Sequence, residues 1–227
     1  MVVTCNSDVH ATLGAAGINA DLVPHGVNLS RFLPRDGEAP RPTLPLRLLA
    51  VGRLVPKKGF DVLVRALARV RVPWRLDLAG QGPEDEKLTR LAEHCGIADR
   101  ITRHGAVTHE TLPALYAQSH AVVVPSVVDA TGDRDGLPNV VLEAMASGRL
   151  VIASDAGAIA SAVRDDETGW LVPSGDVAAL ANRIEALSHD AERVAALAAA
   201  GRACVERQFD RRACGRRFVD LLVARYA

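Results

Sequence analysis

The chain has 227 residues, 48% of them hydrophobic, with 27 basic and 27 acidic side chains. That balance excludes a disordered or collagen-like chain, and zero net charge leaves no basic excess to drive general nucleic-acid binding. A chain this long forms one large domain or two small ones and needs no disulfide or metal to hold a core.

Taken in chain order, residues 2–4, 7–16 and 21–24 read as strand, helix and strand. One strand pair and one helix cannot bury their own faces, so residues 1–24 read as the remnant of another domain. Residues 25–45 follow as crossover and linker, with Pro34, Pro40, Pro42 and Pro45 among polar residues. From 46 to 173 short apolar runs alternate with amphipathic segments. The runs are 46–51, 74–79, 121–125, 150–153 and 170–172. They rarely alternate polar with apolar, as parallel strands covered on both faces should. Helical spacing fills 60–72 (Leu63, Val64, Leu67, Val70), 84–95 up to Gly96, 110–118 and 139–147 up to Gly148. This rhythm predicts an α/β fold with a doubly wound parallel sheet over 46–188. Residues 189–227 read as C-terminal helices.

Two segments carry chemistry. The run 46–51 ends in Gly52-Arg53-Leu54, then Pro56-Lys57-Lys58-Gly59 and a helix. Ligands of parallel sheets sit at the carboxyl ends of strands. There Arg53, Lys58 and a helix N-terminus offer a diphosphate clamp; alone, they would equally suit two solvated cations. The second segment is Asp135-Gly136-Leu137-Pro138-Asn139, followed by Glu143 about one turn into a helix. Gly136 lets backbone amides face a ligand, Pro138 suits a first helical turn, and Asn139 can help cap it. The Glu143 side chain leans back toward the strand ends, where vicinal sugar hydroxyls are natural partners; an exposed capping glutamate is the plainer reading.

Together the motifs resemble the donor-binding half of a GT-B glycosyltransferase, family 4 in particular. The resemblance rests on Gly52-Arg53-Leu54, Lys58-Gly59, Gly80-Gln81-Gly82-Pro83, Val124-Pro125-Ser126, Glu143-Ala144-Met145-Ala146-Ser147-Gly148, Val151-Ile152-Ala153-Ser154-Asp155 and Gly169-Trp170-Leu171-Val172-Pro173. His25-Gly26-Val27-Asn28 and Phe32 are similar to the family's interdomain crossover. It implies a Rossmann-like domain whose Gly52 loop, Arg53 and Lys58 hold the diphosphate of a nucleotide sugar and stabilise the leaving phosphate. Asp135 would contact the donor sugar, and Gly136, Leu137 and Pro138 would line it. Glu143 would bind the ribose. His104, Gly105 and Val107, in the stretch 103–107, would lie beside the base. Arg53, Lys58 and Asp135 are thus the candidate catalytic residues. The family transfers sugar with retention and needs no metal, so no cofactor is expected beyond the nucleotide sugar as substrate. Asp135 stands where the family has glutamate, and Ser161 where it commonly has another. The Asp135-Gly-Leu-Pro-Asn phrase is similar to exopolysaccharide enzymes of the colanic-acid type. The implied partners are a glycan or lipid-linked acceptor and an N-terminal half largely missing from this chain. The chain would then bind donor and transfer nothing alone.

Other features argue less. Asp133-Arg134-Asp135 is a literal D-x-D, and metal binding is not expected of it. His104, His109 and His120 lack ligand spacing and read as ordinary histidines beyond the role implied for 103–107. Trp74 and Trp170 read as packing residues. Cys5, Cys95, Cys204 and Cys214 show no C-x-x-C spacing and read as free thiols of a reducing compartment. With no leader pattern and no long apolar run, the expected place is the cytoplasm, with peripheral contact at the inner face of the membrane. Rival readings are a non-catalytic nucleotide-sugar-binding module or split-enzyme half, a GT-B phosphorylase and a nicotinamide oxidoreductase.

Overall fold

The computed structural model of the protein describes residues 1–34 and 41–226; Pro40 of the predicted linker and residue 227 of the last segment lie outside them. Among the described residues the chain runs β1 (Val3–Thr4), α1 (Ser7–Ala15), β2 (Asp21–Leu22), β3 (Leu46–Val51), α2 (Phe60–Leu67), β4 (Trp74–Ala79), α3 (Asp85–His94) and β5 (Ile101–Gly105). It continues through α4 (Leu112–Gln118), β6 (Ala121–Val124), α5 (Asn139–Ala146), β7 (Leu150–Asp155), β8 (Trp170–Pro173), α6 (Val177–Ala186), α7 (Ala191–Gln208) and α8 (Arg211–Tyr226).

Six strands pair in parallel in the order β5-β4-β3-β6-β7-β8. The chain starts mid-sheet at β3, winds out to β5, then returns to lay β6 on the other side of β3. The carboxyl ends of β3 and β6 therefore flank the topological switch point, where a crevice opens in sheets of this kind.

Strand composition explains the layering. Leu46, Leu48 and Ala50 of β3 join one core cluster with residues of α2, α3 and α6, while Leu49 joins a second cluster with residues of α4 and α5. Both faces of the sheet are covered, and β6 and most of β7 are apolar without alternation; β3 and β4 each carry an exposed arginine, Arg47 and Arg75, near their amino ends. Helix α7 spans both layers, with Val194, Leu197 and Ala198 in the first and Cys204 and Val205 in the second. Trp74 and Trp170 are buried in the first cluster and pack, as expected.

Three elements differ from the sequence reading. Strand β5, at one edge of the sheet, escapes the apolar-run signal because Thr102, Arg103 and His104 are exposed. Helix α2 ends at Leu67 rather than near 72; the next residues close in turns, with Arg69 N–H to the Ala66 carbonyl and Val70 N–H to the Leu67 carbonyl. Asn139 caps nothing: Pro138 occupies the N-cap position of α5, with φ −65° and ψ 136°, and no side chain caps the helix.

At the N-terminus, β1 and β2 pair in parallel around α1, and α1 has no buried residue. Val2, Val9 and Ile18 are exposed, as are Phe218, Val219 and Val223 of α8. Among the described residues no helix is long and apolar enough to cross a membrane.

At the amino end of β6, His120 is 1% exposed and accepts the Arg47 backbone N–H on Nδ1. Burial and the Arg47 and Arg149 guanidinia lower its pKa to about 4. Between the unfolded value near 6.5 and that folded value the unfolded chain binds the extra proton, so stability falls as pH falls through this window. We expect thermal unfolding scans from pH 7 to pH 4.5 to show a declining Tm, and His120→Gln to flatten the decline.

Candidate active site

The loop after β3 is pressed onto the end of β6. Residues Pro56–Lys58 form a 3-10 turn that Gly59 closes at φ +63°. A Cβ on Gly59 would overlap the Pro125 carbonyl oxygen, so only glycine permits this approach. The Val127 N–H donates to the Lys57 carbonyl at 2.9 Å and stitches the two loops together.

The contact places Lys58 Nζ 2.8 Å from Asp135 Oδ2. The Ser126 hydroxyl, fully buried, donates to the same oxygen at 2.9 Å. The Asp135 side chain is only 10% exposed, and a carboxylate so placed is costly unless paired; here one lysine and one hydroxyl satisfy it. Its backbone is fixed from behind by Gly157 at φ +58°, where a Cβ would overlap the Asp135 carbonyl oxygen. A second ion pair, Lys57 Nζ to Asp133 Oδ2 at 2.9 Å, runs alongside. Each aspartate of the D-x-D thus faces a lysine, and among the described residues no three His, Cys, Asp or Glu side chains are grouped to hold a metal. Arg53 is exposed on the same loop as Lys58, with no side-chain hydrogen bond or ion pair among the described residues.

The rest of the second segment is anchored rather than open. Leu137 is 9% exposed and belongs to the second core cluster. Pro138 is buried beside it. Gly136 is approached by the N-terminal segment: a Cβ there would lie 2.8 Å from Asn6 Nδ2.

Glu143 is 7% exposed, so it is no exposed capping glutamate. It takes a hydrogen bond from the buried Tyr116 hydroxyl at 2.9 Å on Oε2. It also lines a cavity of about 230 Å³ with Asn28, Arg31, His109 and Asn139. Burial pushes its carboxyl upward; the Tyr116 bond, His109 and Arg31 pull the other way without cancelling it. The crossover forms the opposite wall. It is pinned by Val27 N–H to the Phe209 carbonyl at 2.8 Å, Arg211 N–H to the Val27 carbonyl at 3.1 Å, and Arg202 to the Phe32 carbonyl at 2.8 Å. His25, in this crossover, is half-buried, and burial lowers its pKa.

Lys58, Asp135 and Ser126 therefore come together, with Arg53 on the same loop. No hydrogen bond or ion pair joins Glu143 to them; it opens into its own cavity, along the same carboxyl rim of the sheet. His104 does not join either group: its Nε2 lies 2.6 Å from Asp77 Oδ1 on the neighbouring strand. Gly105 ends β5 at φ +63°, and Val107 packs against the second core. Ser126, Tyr116, Arg31 and His109 received no site role from sequence beyond the crossover and motif resemblances. Ser126 carried one usable signal, its place immediately after a strand end.

A six-stranded doubly wound parallel sheet with a cationic loop at its switch point defines the class first: a Rossmann-like α/β domain. Comparison with known proteins then places the chain. The family described as glycosyl transferases group 1 matches residues 37–203, and the chain belongs to it. It is 34% identical over 203 residues to WcaL of Escherichia coli K12, a protein assigned to colanic acid biosynthesis as a glycosyltransferase, covering 88% of this chain and 50% of that protein. It is 36% identical over 207 residues to a GDP-mannose-dependent α-(1-6)-phosphatidylinositol monomannoside mannosyltransferase of Mycobacterium tuberculosis, covering 83% and 52%. The solved sucrose-phosphate synthase of Thermosynechococcus elongatus superposes with a TM-score of 0.84 at 30% identity, covering 98% of this chain and 58% of that one. The chain spans about half the length of the curated relatives it matches.

Proposed function

We propose that the chain supplies the donor-binding half of a retaining hexosyltransferase. The enzyme would move a sugar from a nucleoside-diphosphate donor to a glycan or lipid-linked acceptor in bacterial exopolysaccharide or cell-envelope synthesis. The observation that carries this reading is the meeting of Lys58 and Ser126 on one oxygen of Asp135 at the switch point, on the same rim as the Glu143 cavity.

The chemistry follows from the free valences. Lysine has three donors; one goes to Asp135, leaving two for diphosphate oxygens. Arg53, exposed on the same loop and without a side-chain partner among the described residues, adds a planar fork suited to phosphate. As the bond between the sugar anomeric carbon and the β-phosphate oxygen breaks, the electron pair stays on the phosphate. Two cations already in place stabilise that charge without reorganisation. Asp135 keeps Oδ1 for a donor-sugar hydroxyl, with Gly136, Leu137 and Pro138 carrying it on an anchored loop. Glu143 would accept from the ribose hydroxyls, and Gly105 and Val107 would border the base; His104, engaged by Asp77, is assigned no more than the edge of that pocket. This reading needs no resident cofactor, since the nucleotide sugar is the substrate.

The acceptor side would come from the additional length that the relatives carry. The strand pair β1–β2, helix α1 and the exposed apolar residues of α8 form the face against which such a half would pack, and a lipid-linked acceptor would bring the assembly to the inner membrane face. The chain alone would then bind donor without turnover. The test is a thermal-shift panel of UDP, GDP and ADP and their sugars. A ligand at 100 times its Kd adds about 2.7 kcal/mol, and one base should stand out. A flat response to every member overturns the assignment. Transfer assayed with and without a supplied N-terminal half separates an enzyme half from a non-catalytic binding module.

A further inference from the structure

Tyr116 sits on the core side of α4 and is fully buried although it carries a hydroxyl. A buried hydroxyl is costly to leave unpaired, and this one donates to Glu143 Oε2 at 2.9 Å. The ring is held independently of that bond. Phe32 of the crossover packs edge-on, with centroids 5.7 Å apart and planes at 84°. The helix ends there, with the Ser119 N–H and hydroxyl both donating to the Tyr116 carbonyl. The other carboxylate oxygen, Oε1, has no hydrogen bond among the described residues, and Glu143 lines the cavity.

We propose that Tyr116 is a positioning residue: its hydroxyl engages Oε2 of Glu143 and thereby leaves Oε1 as the oxygen presented to the vicinal hydroxyls of a ribose. The proposal rests on the nucleotide reading above and adds to it the group that orients the ribose acceptor.

The electrostatics support the geometry. A carboxylate accepts two hydroxyls well only while ionised; protonated, it becomes a donor. Burial works against ionisation of Glu143, and the Tyr116 bond opposes burial. The charged or titratable groups facing Glu143 are Tyr116 from α4, His109 from the loop after β5 and Arg31 from the crossover, with Arg211 on the cavity wall; its own helix contributes only the neutral Asn139. Tyr116 always donates in this pair, because burial and the adjacent carboxylate push its phenol well above the ordinary value. The sign follows. With a carboxyl raised in the folded state, nucleotide binding is full above its pKa and is lost as pH falls through it. Removing the hydroxyl raises the carboxyl further, so the loss begins at higher pH.

The test uses the full chain with UDP and GDP as probes. Calorimetric Kd values from pH 5.5 to 8.5 are compared for wild type, Tyr116→Phe, Glu143→Gln and the double variant. The Glu143 carboxyl is titrated in parallel by NMR with 13C-labelled glutamate, without ligand. We expect Tyr116→Phe to weaken binding several-fold at the acid end of the range and less than about twofold at pH 8.5, and to raise the Glu143 midpoint. In the Glu143→Gln background Tyr116→Phe adds nothing, and the pH dependence that remains is the same with and without the tyrosine hydroxyl. Uniform weakening at all pH, an unmoved Glu143 titration, or additive losses in the double variant would overturn the proposal. A wild-type chain that binds neither UDP nor GDP, with its Glu143 midpoint still moved by Tyr116→Phe, would instead overturn the nucleotide reading and the ribose role with it.

Discussion

Lys58→Ala is expected to abolish the thermal stabilisation that the matching nucleoside diphosphate confers. Charge-assisted hydrogen bonds contribute about 1.5–3 kcal/mol each, and two Lys58 donors remain for phosphate once Asp135 has taken the third. Their loss corresponds to a Kd about 10²- to 10⁴-fold weaker, enough to erase a shift measured at 100 times the original Kd. The damage does not stop at attraction. Asp135, with only 10% of its side chain exposed, would keep the Ser126 hydroxyl and lose its cation, leaving a carboxylate beside the incoming diphosphate. Arg53→Ala should lose the same shift through fewer contacts, since Arg53 stands in solvent and compensates no buried charge. Isothermal titration of both variants gives the order. Unchanged affinity in Lys58→Ala would falsify the clamp.

Gly59→Ala should damage fold and site at once. A left-handed backbone at a non-glycine residue costs about 1–2 kcal/mol, and the new Cβ would also overlap the Pro125 carbonyl oxygen. The loop must then lift from β6, taking Lys58 off Asp135. For a chain of this size we expect a Tm lower by roughly 5–10 °C, with donor stabilisation lost as in Lys58→Ala. Gly96→Ala is the control: it has a similar φ of +67° but nothing within 4 Å of the new Cβ. It should lower Tm slightly and bind nucleotide normally. Equal binding by the Gly59 and Gly96 variants would show that the close approach does not position Lys58.

These two residues show what sequence could reveal. Strands β3, β4, β6, β7 and β8 were legible as apolar runs because each buries apolar side chains, and the strand-end positions of Lys58 and Asp135 were legible from recognisable motifs. Strand β5 was not, since it keeps Thr102, Arg103 and His104 in solvent, whereas β8 at the opposite edge buries Trp170 and Val172. The pairing of Lys58 with Asp135 could not be read either: 77 residues separate them, and the contact depends on Gly59 and Gly157, whose need for glycine is created by neighbours remote in sequence. The helical position of Glu143 points it toward the strand ends, and its burial beside the cavity is what the structure adds. Its burial against Tyr116 was invisible, because a tyrosine at a core spacing in α4 reads as packing. His109, set aside as an ordinary histidine, lines the Glu143 cavity for the same reason. It follows the unread strand β5, so nothing in the sequence pointed it at the crevice.

The most direct measurement is a crystal structure of this chain with its preferred nucleoside diphosphate. The account predicts phosphate oxygens within hydrogen-bond distance of Lys58 Nζ and the Arg53 guanidinium, with the ribose reaching Oε1 of Glu143 in the cavity beside His109. A nucleotide bound elsewhere on the sheet, with no phosphate oxygen on Lys58 and no ribose in the Glu143 cavity, would contradict it.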